Sequence, residues 1–418
     1  MVKSRQSSTS QLVDHLFRSE AGKLVAILTR IFGTVNIDLA EDIVQETLVT
    51  ALHHWGNDHI PDNPAAWITQ VAKRKALNEL KRIRSTKNYL ERQPGISENH
   101  DQIEEIFLDE EIKDSQLRMI FTCCHPQLSV ASQMALTLKT LCGFGISEIS
   151  KCLLTSEATI NKRLYRARQK IRTLEISFEV PAGKDLAERL DAVCLALYLL
   201  FNEGYNSSSR QTVISKDLCL EAMRLTQILV EHFPDQPKPF ALLSLVCLHT
   251  ARFEARTDRK GAIVIFEDQN RSLWNKELIS KGMYYLGKAS TGKQLTEYHL
   301  EAGIAAEHCL SKSFAETNWE SIYQQYEKLY SLTQNPIILL NLAIIKSQTQ
   351  SIESSLRALE KIADNPQLQN YYLLPMTRGV LSLKSGNPTQ ARNFFLHALK
   401  LTQSPQETTF IKSKLAEC

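Results

Sequence analysis

The sequence has few glycines and prolines, no long apolar run and almost no net charge. Its 418 residues include 15 glycines and 13 prolines, and because both residue types disfavour helix interiors, their scarcity favours an all-α fold. The longest apolar runs, such as residues 193–201, are about half of the roughly 20 residues that span a bilayer. The net charge of +3 means that any nucleic-acid binding must come from local patches.

Cysteine occurs in no pattern that predicts disulfides or a metal site. The chain has nine cysteines and its first 16 residues lack the apolar core of an export signal, which predicts reduced thiols and a cytoplasmic location. Cys123-Cys124-His125 is the one cluster with metal-ligand chemistry, but no second Cys/His group lies at zinc-finger spacing. We therefore expect no metal and no cofactor, and interpret the cluster as a helix end before Pro126.

Residues 146–172 indicate a helix, a tight turn and a second, strongly basic helix. Ser156 is the predicted N-cap of the second helix. Apolar residues recur there at the spacing of a buried stripe: Ile160, Leu164, Ala167 and Ile171. This layout is typical of a helix-turn-helix, whose second helix enters the DNA major groove. A solvated helix in an ordinary bundle is the alternative.

Three further helices are predicted before this point. Residues 11–33 carry a leucine-rich face that includes Leu12, and Gly33 is the expected stop. A second helix follows over 39–55, with Asp38 as its expected cap and Leu52 among its expected buried residues. The third, over 64–84, is basic, with Asn63 as cap and Pro64 at its first position.

Residues 85–114 are polar and then acidic, which predicts a linker. The predicted division is therefore a helical unit over 10–90, an acidic linker over 91–114, a helix-turn-helix unit over 115–176 and a helical extension over 177–418.

Three motifs in this order resemble the extracytoplasmic-function class of bacterial RNA polymerase sigma factors. They are LAEDIVQETLVTALHHW (Leu39–Trp55), NPAAWITQVAKRKALNELKR (Asn63–Arg82) and ISEISKCLLTSEATINKRLYRARQKIR (Ile146–Arg172). Three more are similar to a subgroup with a long helical C-terminal extension: DSQLRMIFTCCHPQLS (Asp114–Ser129), LYLLFNEGYNSSS (Leu197–Ser209) and FEDQNRSLWNKELISKG (Phe266–Gly282). The resemblance implies promoter recognition and strand opening with core RNA polymerase, and no catalysis by this chain.

The resemblance also implies partners and site residues. The second helix would dock on the polymerase β′ coiled coil through an acidic and polar face: Asp38, Glu41, Asp42, Gln45 and Glu46. The third helix would bind the −10 element through Trp67, Lys73, Arg74, Asn78, Lys81 and Arg82. The basic helix of residues 146–172 would read the −35 element near its start, through Ser156, Glu157, Thr159, Lys162 and Arg163, and contact phosphates further along, through Arg166, Arg168 and Lys170. For Trp67, packing in the core is the alternative.

The C-terminal half is nearly neutral and is expected to be helical. Ala187–Leu200, Leu218–His232 and Phe240–Ala255 are predicted helices, with a loop over Asn202–Asn206. Near the end, Gly379, Ala391, Phe395 and Ala398 fall at the spacing of a tetratricopeptide repeat, and Ala343, Ser355, Leu359 and Ile362 fill the same places one period earlier. Such arrays bind proteins or peptides. A role that only buttresses the first half is the alternative.

Two other functions fit parts of the sequence. A stand-alone helix-turn-helix regulator with a tetratricopeptide sensor explains residues 146–172 and the extension, but it leaves the motifs of residues 39–84 unexplained. An interaction scaffold would treat the basic helices as solvated faces. A further alternative is an enzyme in the C-terminal half, but the sequence there contains no nucleophile–base pair and no metal-ligand spacing.

Overall fold

A computed structural model describes residues 16–418 except 18–19, 56–59, 88–105, 154, 206–215, 259–261, 293 and 403–404. Within these ranges the regular structure is helical, apart from one isolated β-bridge between Thr257 and Ile263. The all-α prediction is therefore confirmed. The chain forms two compact units that divide after Leu199. In the described parts of both units, no helix combines the length and apolar character needed to cross a bilayer.

The first unit has two helical modules joined by the segment that contains residues 88–105. Its described helices are α1 (20–32), α2 (Ile37–Trp55), α3 (Pro64–Lys87), α4 (Asp109–Cys123), α5 (Val130–Thr140), α6 (Ile146–Cys152), α7 (Glu157–Thr173) and α8 (Lys184–Tyr205), the last of which continues past the division. We call α1–α3 the first module and α4–α7 the second.

The ends of the first-module helices follow from local chemistry. Gly33 adopts a φ of 83°, and its N–H donates to Thr29 O at 2.8 Å, which closes α1 as predicted. The Asn63 side chain accepts the Ala66 N–H at 3.1 Å, and Pro64 is the first residue of α3. The cap and the proline position are both confirmed.

Two expectations for the first module are wrong, and one lies outside the described residues. A short 3₁₀ turn, Thr34–Asn36, leads directly into Ile37, so Asp38 lies within the first turn of α2 and is not its cap. Leu52 is 55% exposed, because α2 directs it away from the core. Leu12 falls before the first described residue.

The predicted linker is shorter than its acidic composition suggested. Residues 109–114 belong to α4, whose first turn carries Asp109, Glu110 and Glu111. Carboxylates at a helix N-terminus interact favourably with the helix dipole, so the acids of this segment begin a helix. Residues 91–105 of the predicted linker lie outside the described residues.

The helix-turn-helix is confirmed as α6 and α7. Ile160, Leu164, Ala167 and Ile171 are all at most 2% exposed and attach α7 to its module. Ser156 caps α7, since its Oγ accepts the Thr159 N–H at 3.2 Å.

The two modules of the first unit are in direct contact. An ideal β-carbon on Gly22 of α1 would lie 2.0 Å from the carbonyl oxygen of Leu141, just after α5, so only glycine fits this approach. The Thr34 hydroxyl donates to the Ile176 carbonyl at 2.8 Å in a buried position. Arg30 of α1 also forms an ion pair with Glu111 of α4 at 2.5 Å.

The second unit is a succession of helical hairpins. Its described helices after α8 are α9 (Lys216–His232), α10 (Pro237–Thr250), α11 (Lys276–Ala289), α12 (Glu297–Leu310), α13 (Trp319–Thr333), α14 (Pro336–Thr349), α15 (Ile352–Lys361), α16 (Leu373–Lys384), α17 (Pro388–Leu401) and α18 (Pro405–Leu415). Two sequence expectations are wrong here. Residues 202–205 continue α8 and form no loop, and α10 ends at Thr250, before a 3₁₀ turn over Phe253–Ala255.

Small residues bring the last helix pairs close together, as their spacing predicted. A β-carbon on Gly379 of α16 would lie 2.5 Å from the ring of Phe395 on α17. One period earlier, the Ser355 hydroxyl on α15 donates to the Ala343 carbonyl on α14 at 2.5 Å. Ala391, Phe395 and Ala398 are 0% exposed.

Arginines and aromatic rings order the irregular segment between α10 and α11. The Arg252 guanidinium lies 4.3 Å from the centre of the Phe266 ring and 5.3 Å from that of Trp274. Arg271 lies 4.7 Å from the Trp274 ring and donates to the carbonyls of His308 (2.7 Å) and Ser311 (2.5 Å) at the end of α12. A cation at a helix C-terminus is stabilised by the helix dipole, which gives Arg271 and Trp274 a structural role.

Candidate nucleic-acid interface

The start of α7 presents polar and basic side chains to solvent. The predicted −35 contacts Ser156, Glu157 and Lys162 are exposed, whereas Thr159 and Arg163 are half-buried. The Ser156 and Thr159 hydroxyls lie 2.9 Å apart. The first turns of α7 therefore carry accessible donors and acceptors, which contact with base edges requires.

The second half of α7 is largely engaged with protein. Arg166 is exposed, but the Arg168 Nη2 lies 2.5 Å from the Glu41 carboxylate on α2. The Lys170 ammonium donates to the Gln127 carbonyl. Arg172 contacts Asp38, and its Nε donates to the Val35 carbonyl at 2.9 Å. Of the three predicted phosphate contacts, Arg166 is therefore exposed, whereas Arg168 and Lys170 already bond to groups of the protein.

The acidic face of α2 is divided in the same way. Asp38 and Glu41 face α7, whereas Asp42, Gln45 and Glu46 are exposed. Val49 and Leu52 extend the exposed part and are 51% and 55% exposed. The sequence analysis did not identify Val49 as part of this face and expected Leu52 to be buried. Their i+7 and i+10 spacing from Asp42 was the available signal.

Glu41 is the most buried of the predicted polymerase contacts. It is 7% exposed, and burial raises the pKa of its carboxyl, with Arg168 and Lys139 acting in the opposite direction. Its Oε1 has no hydrogen-bond partner among the described residues. Arg168 Nε lies 3.0 Å from an Asp38 oxygen but makes no hydrogen bond within the same ranges. The contact of Arg168 with Asp38 and Glu41 is therefore ionic, and among the described residues not every polar atom in it has a hydrogen-bond partner.

A cleft of about 310 Å³ lies between α2 and the second module. Its wall on α2 consists of Asp38, Glu41, Asp42 and Gln45, and the opposite wall consists of Lys139, Ile146, Asn161, Leu164, Tyr165, Arg168 and Arg172. The two modules therefore meet here through charged side chains around an open space, and not through a packed apolar core.

On α3, Trp67 lies in an aromatic cluster. Its ring centre is 5.4 Å from that of Trp55 and 5.7 Å from that of His54, both of which belong to α2. Trp67 is half-buried. The structure therefore supports its packing role, while one part of the ring stays accessible.

The basic residues of α3 occupy its exposed side. Arg74, Asn78, Lys81 and Arg82 are exposed. Arg82 makes a two-pronged contact with Glu79, at 2.6 and 2.9 Å, so this arginine is oriented along the helix. Lys73 is half-buried, 5.9 Å from the centre of the Phe107 ring. The predicted −10 residues thus share one helix but differ in accessibility.

Cys123 and Cys124 belong to the core of the second module, and His125 is half-buried beside them. The Cys123 and Cys124 thiols contact the hydroxyls of Thr140 (3.1 Å) and Thr137 (3.7 Å). Burial raises the pKa of Cys124 to about 12, and burial with nearby Arg189 lowers the pKa of His125 to about 4. In the described ranges, no group of three metal-ligating side chains is assembled. α4 ends at Cys123, as the helix-end interpretation predicted.

Comparison with known families assigns both modules. Sigma-70 region 2 matches residues 16–86, and sigma-70 region 4 matches residues 118–171. The chain carries both of these sigma-70 domains. The two domains support a sigma factor, which is a transcription initiation factor that binds RNA polymerase and promoter DNA. The stand-alone regulator does not account for region 2.

Two further similarities extend beyond the sigma modules. A family of unknown function (DUF6596) matches residues 189–290 of the sigma factor, which include α9, α10 and the arginine–aromatic segment. An uncharacterized protein of Rhizobium meliloti (strain 1021) is 33% identical over 383 residues, which are 91% of this chain and 90% of that protein. The resemblance to this relative thus includes the extension.

Proposed function

We propose that this sigma factor docks on the β′ coiled coil of core polymerase through α2, opens the −10 element with α3 and anchors the −35 element with α7, in the cytoplasm. We propose the predicted division into a unit over 10–90, a linker, the helix-turn-helix unit up to residue 176 and the extension over 177–418, with the linker ending before α4 begins at Asp109. The observation that carries these roles is the pairing of a region 2 match with a region 4 match in one compact unit. The exposed acids of α2 and the exposed bases of α7 are the surfaces these roles require.

The docking role is tested by reversing charge on the exposed part of α2. In the full chain, Asp42→Lys with Glu46→Lys should weaken capture of core polymerase at least tenfold, because a basic partner would meet like charge. Asp109→Lys with Glu110→Lys, on the exposed start of α4, is the matched control. Equal capture by both double variants would remove α2 from the docking role.

We infer that the extension regulates the sigma factor through protein contacts, as a tetratricopeptide-like array. The helix pairs α14–α15 and α16–α17 support this inference, because small residues set their close approach. Exposed apolar side chains on the same unit include Leu332, Ile337 and Leu396. A hairpin array with such side chains can bind a peptide or protein segment.

Truncation tests the regulatory role. A chain that ends after Tyr205 keeps α8 whole and removes the hairpins. We expect transcription from the mapped promoter to change at least fivefold in one direction, while core capture persists. If the truncated chain transcribes like the full chain under every growth signal tried, the extension does not regulate the first unit.

A further inference from the structure

Two arginines of the second unit lie against the same pair of aromatic rings. The guanidinium carbon of Arg252 is 4.3 Å from the centre of the Phe266 ring, and that of Arg271 is 5.6 Å from it. The same two guanidinium groups lie 5.3 and 4.7 Å from the centre of the Trp274 ring. Two positive charges are therefore held close together beside apolar rings, where water screens their repulsion poorly.

The partners of these two arginines are neutral. Arg252 is 8% exposed, and its Nε and Nη2 donate to the side-chain oxygen of Gln269, at 3.3 and 3.1 Å. Arg271 donates through Nη1 to the carbonyls of His308 and Ser311. Neither guanidinium forms an ion pair with a residue that the structure describes. Because a buried charge without an opposite charge is unfavourable, the arrangement favours a bound anion.

The neighbouring groups respond to the same excess of positive charge. Burial lowers the pKa of His308 to about 3, and Arg252 and Arg271 act in the same direction. Burial also lowers the pKa of the Arg271 guanidinium, and Arg252 adds to that effect. Glu316 opposes it, but this acid is exposed to solvent. The local potential around Phe266 is therefore positive.

Three polar atoms around Phe266 are buried without a hydrogen-bond partner among the described residues. They are Arg271 Nη2, Trp274 Nε1 and His308 Nδ1. The ring centres of His308 and Trp274 lie 4.4 and 6.0 Å from that of Phe266. The first two atoms can only donate hydrogen bonds, and a donor that is buried without an acceptor is costly. A negatively charged group that accepts several hydrogen bonds would compensate both the charge and the unpaired donors.

We propose that this cluster binds the oxyanion group of a small molecule, a carboxylate or a phosphate, through Arg252 and Arg271, with the Trp274 indole N–H as a further donor. The planar guanidinium matches both groups in shape and charge, and it can bind two oxygens at once. Arg271 and His308 are half-buried and Ser272 is exposed, so the site lies just below the surface. The binding goes beyond the proposed function, whereas use of the bound molecule as a signal for transcription rests on that function.

The measurement is nuclear magnetic resonance of the indole N–H groups in the full-length protein, labelled with ¹⁵N at its four tryptophans. Trp274→Phe assigns the Trp274 signal, and Trp55 and Trp67 of the first module are internal references. Inorganic phosphate and acetate are titrated separately at constant ionic strength, with chloride as the balancing anion. We expect the Trp274 signal to move saturably, with a dissociation constant of roughly 1 mM or tighter, because charged groups strengthen such hydrogen bonds.

The two oxyanions distinguish the possible sources of the ligand. A saturable shift with phosphate identifies a phosphate-bearing molecule, and one with acetate identifies a carboxylate. A shift with both supports the shared chemistry, and the tighter of the two then gives the ligand class. If neither produces a saturable shift at Trp274, or if Trp55 and Trp67 move in parallel with it, the site is refuted in the wild-type protein, whatever the variants do.

Variants assign the binding to the two arginines. Arg252→Gln removes one charge, and Arg271→Lys keeps the charge but removes the two-pronged donor. Each should weaken binding by about tenfold or more, because a charge-assisted hydrogen bond is lost. Arg378→Gln is the matched control, since Arg378 also lies 4.3 Å from the centre of a phenylalanine ring, that of Phe394 on α16–α17. Equal weakening by the control and by both site variants would overturn the assignment.

Failure of this site and failure of the proposed function are distinguishable. The titration contains neither polymerase nor DNA, so its result is independent of every role in transcription. If the protein did not bind core polymerase, the proposed function would fail and the oxyanion site would stand. If the Trp274 signal did not respond while the protein still directed transcription, the site would fail and the proposed function would stand.

Discussion

The backbone of Gly379 lies so close to the ring of Phe395 that a β-carbon there would come within 2.5 Å of it. Phe395 is 0% exposed and lies in the core of the last hairpins, so the ring cannot move aside without disturbing its neighbours. The α16–α17 pair therefore depends on a residue that has no side chain.

Gly379→Ala should destabilise the second unit by about 1–3 kcal/mol, the usual cost of forcing an extra carbon into a packed core. Gly287→Ala makes the same chemical change on α11, where nothing lies within 4 Å, and should stabilise by about 0.5–1 kcal/mol. Urea denaturation followed by circular dichroism measures both. Shifts of the same sign would show that the α16–α17 approach is looser than described.

Arg168→Ala should lower the stability of the α2–α7 contact by about 2–3 kcal/mol, because it leaves Glu41 buried without its ion-pair partner. Native-state hydrogen exchange of α2 and α7 amides in the full chain is the measurement. Arg166→Ala removes an exposed arginine from the same helix and should change protection by less than about 0.5 kcal/mol. If Arg168→Ala and Arg166→Ala reduced hydrogen-exchange protection by similar amounts, the burial of Glu41 beside Arg168 would not explain the stability of this contact.

The same contact should depend on pH through Glu41. Its pKa is raised from the ordinary 4.5 because burial outweighs the attraction of Arg168. A raised carboxyl pKa gives stability that is fully present below about 4.5 and is lost as pH rises through the folded-state pKa. Glu41→Gln should remove this fall from the exchange profile of α2. If the hydrogen-exchange protection of α2 in the wild-type protein did not change above pH 4.5, Glu41 would not be the group responsible.

His308 should make the second unit sensitive to acid. Burial and the nearby Arg252 and Arg271 lower its pKa from 6.5 to about 3, so the folded state resists protonation that the unfolded chain accepts. Its stabilising contribution is present above pH 6.5 and declines below it, by about 2 kcal/mol at pH 5. His308→Gln should reduce the slope of stability between pH 7 and 5, whereas His397→Gln, at an exposed site, should leave it unchanged.

Lys162→Ala with Arg163→Ala should abolish transcription from the protein's own promoter while core capture survives. Loss of contacts to bases or neighbouring phosphates costs about 1–3 kcal/mol each, enough for a loss of roughly 100-fold in run-off transcription with core polymerase. Gln169→Ala, exposed near the end of α7, is the control. Loss of core capture in the double variant would contradict the separation of roles between α2 and α7.

Local patterns in the sequence predicted the elements well, because the causes are local. The stripe from Ile160 to Ile171 and the Asn63-Pro64 helix start depend on residues within a few positions. The prediction was wrong where tertiary context decides. Leu52 is exposed although its periodicity suggested burial, and α8 runs through Asn202–Tyr205, where polar residues suggested a loop.

The arrangement of the candidate site could not be predicted from sequence. Arg168 and Glu41 are 127 positions apart, and nothing in either helix alone indicates that they pair. Sequence patterns give the type of each residue and its helix, so they identify the acidic and basic faces. They do not show which of those charges neutralise each other, because that depends on how the two modules pack.

Because Gly22 lies so close to Leu141, the residue type at position 22 indicates whether the two modules of a related protein can pack together. Any side chain at position 22 is excluded for as long as the two modules close on one another. A homologous protein with alanine or a larger residue at position 22 should therefore have modules that stay apart. In such proteins, a change of charge at position 41 should not be accompanied by a compensating change at position 168. Which relatives keep the two modules packed together could then be determined from an alignment column, before any of them is purified.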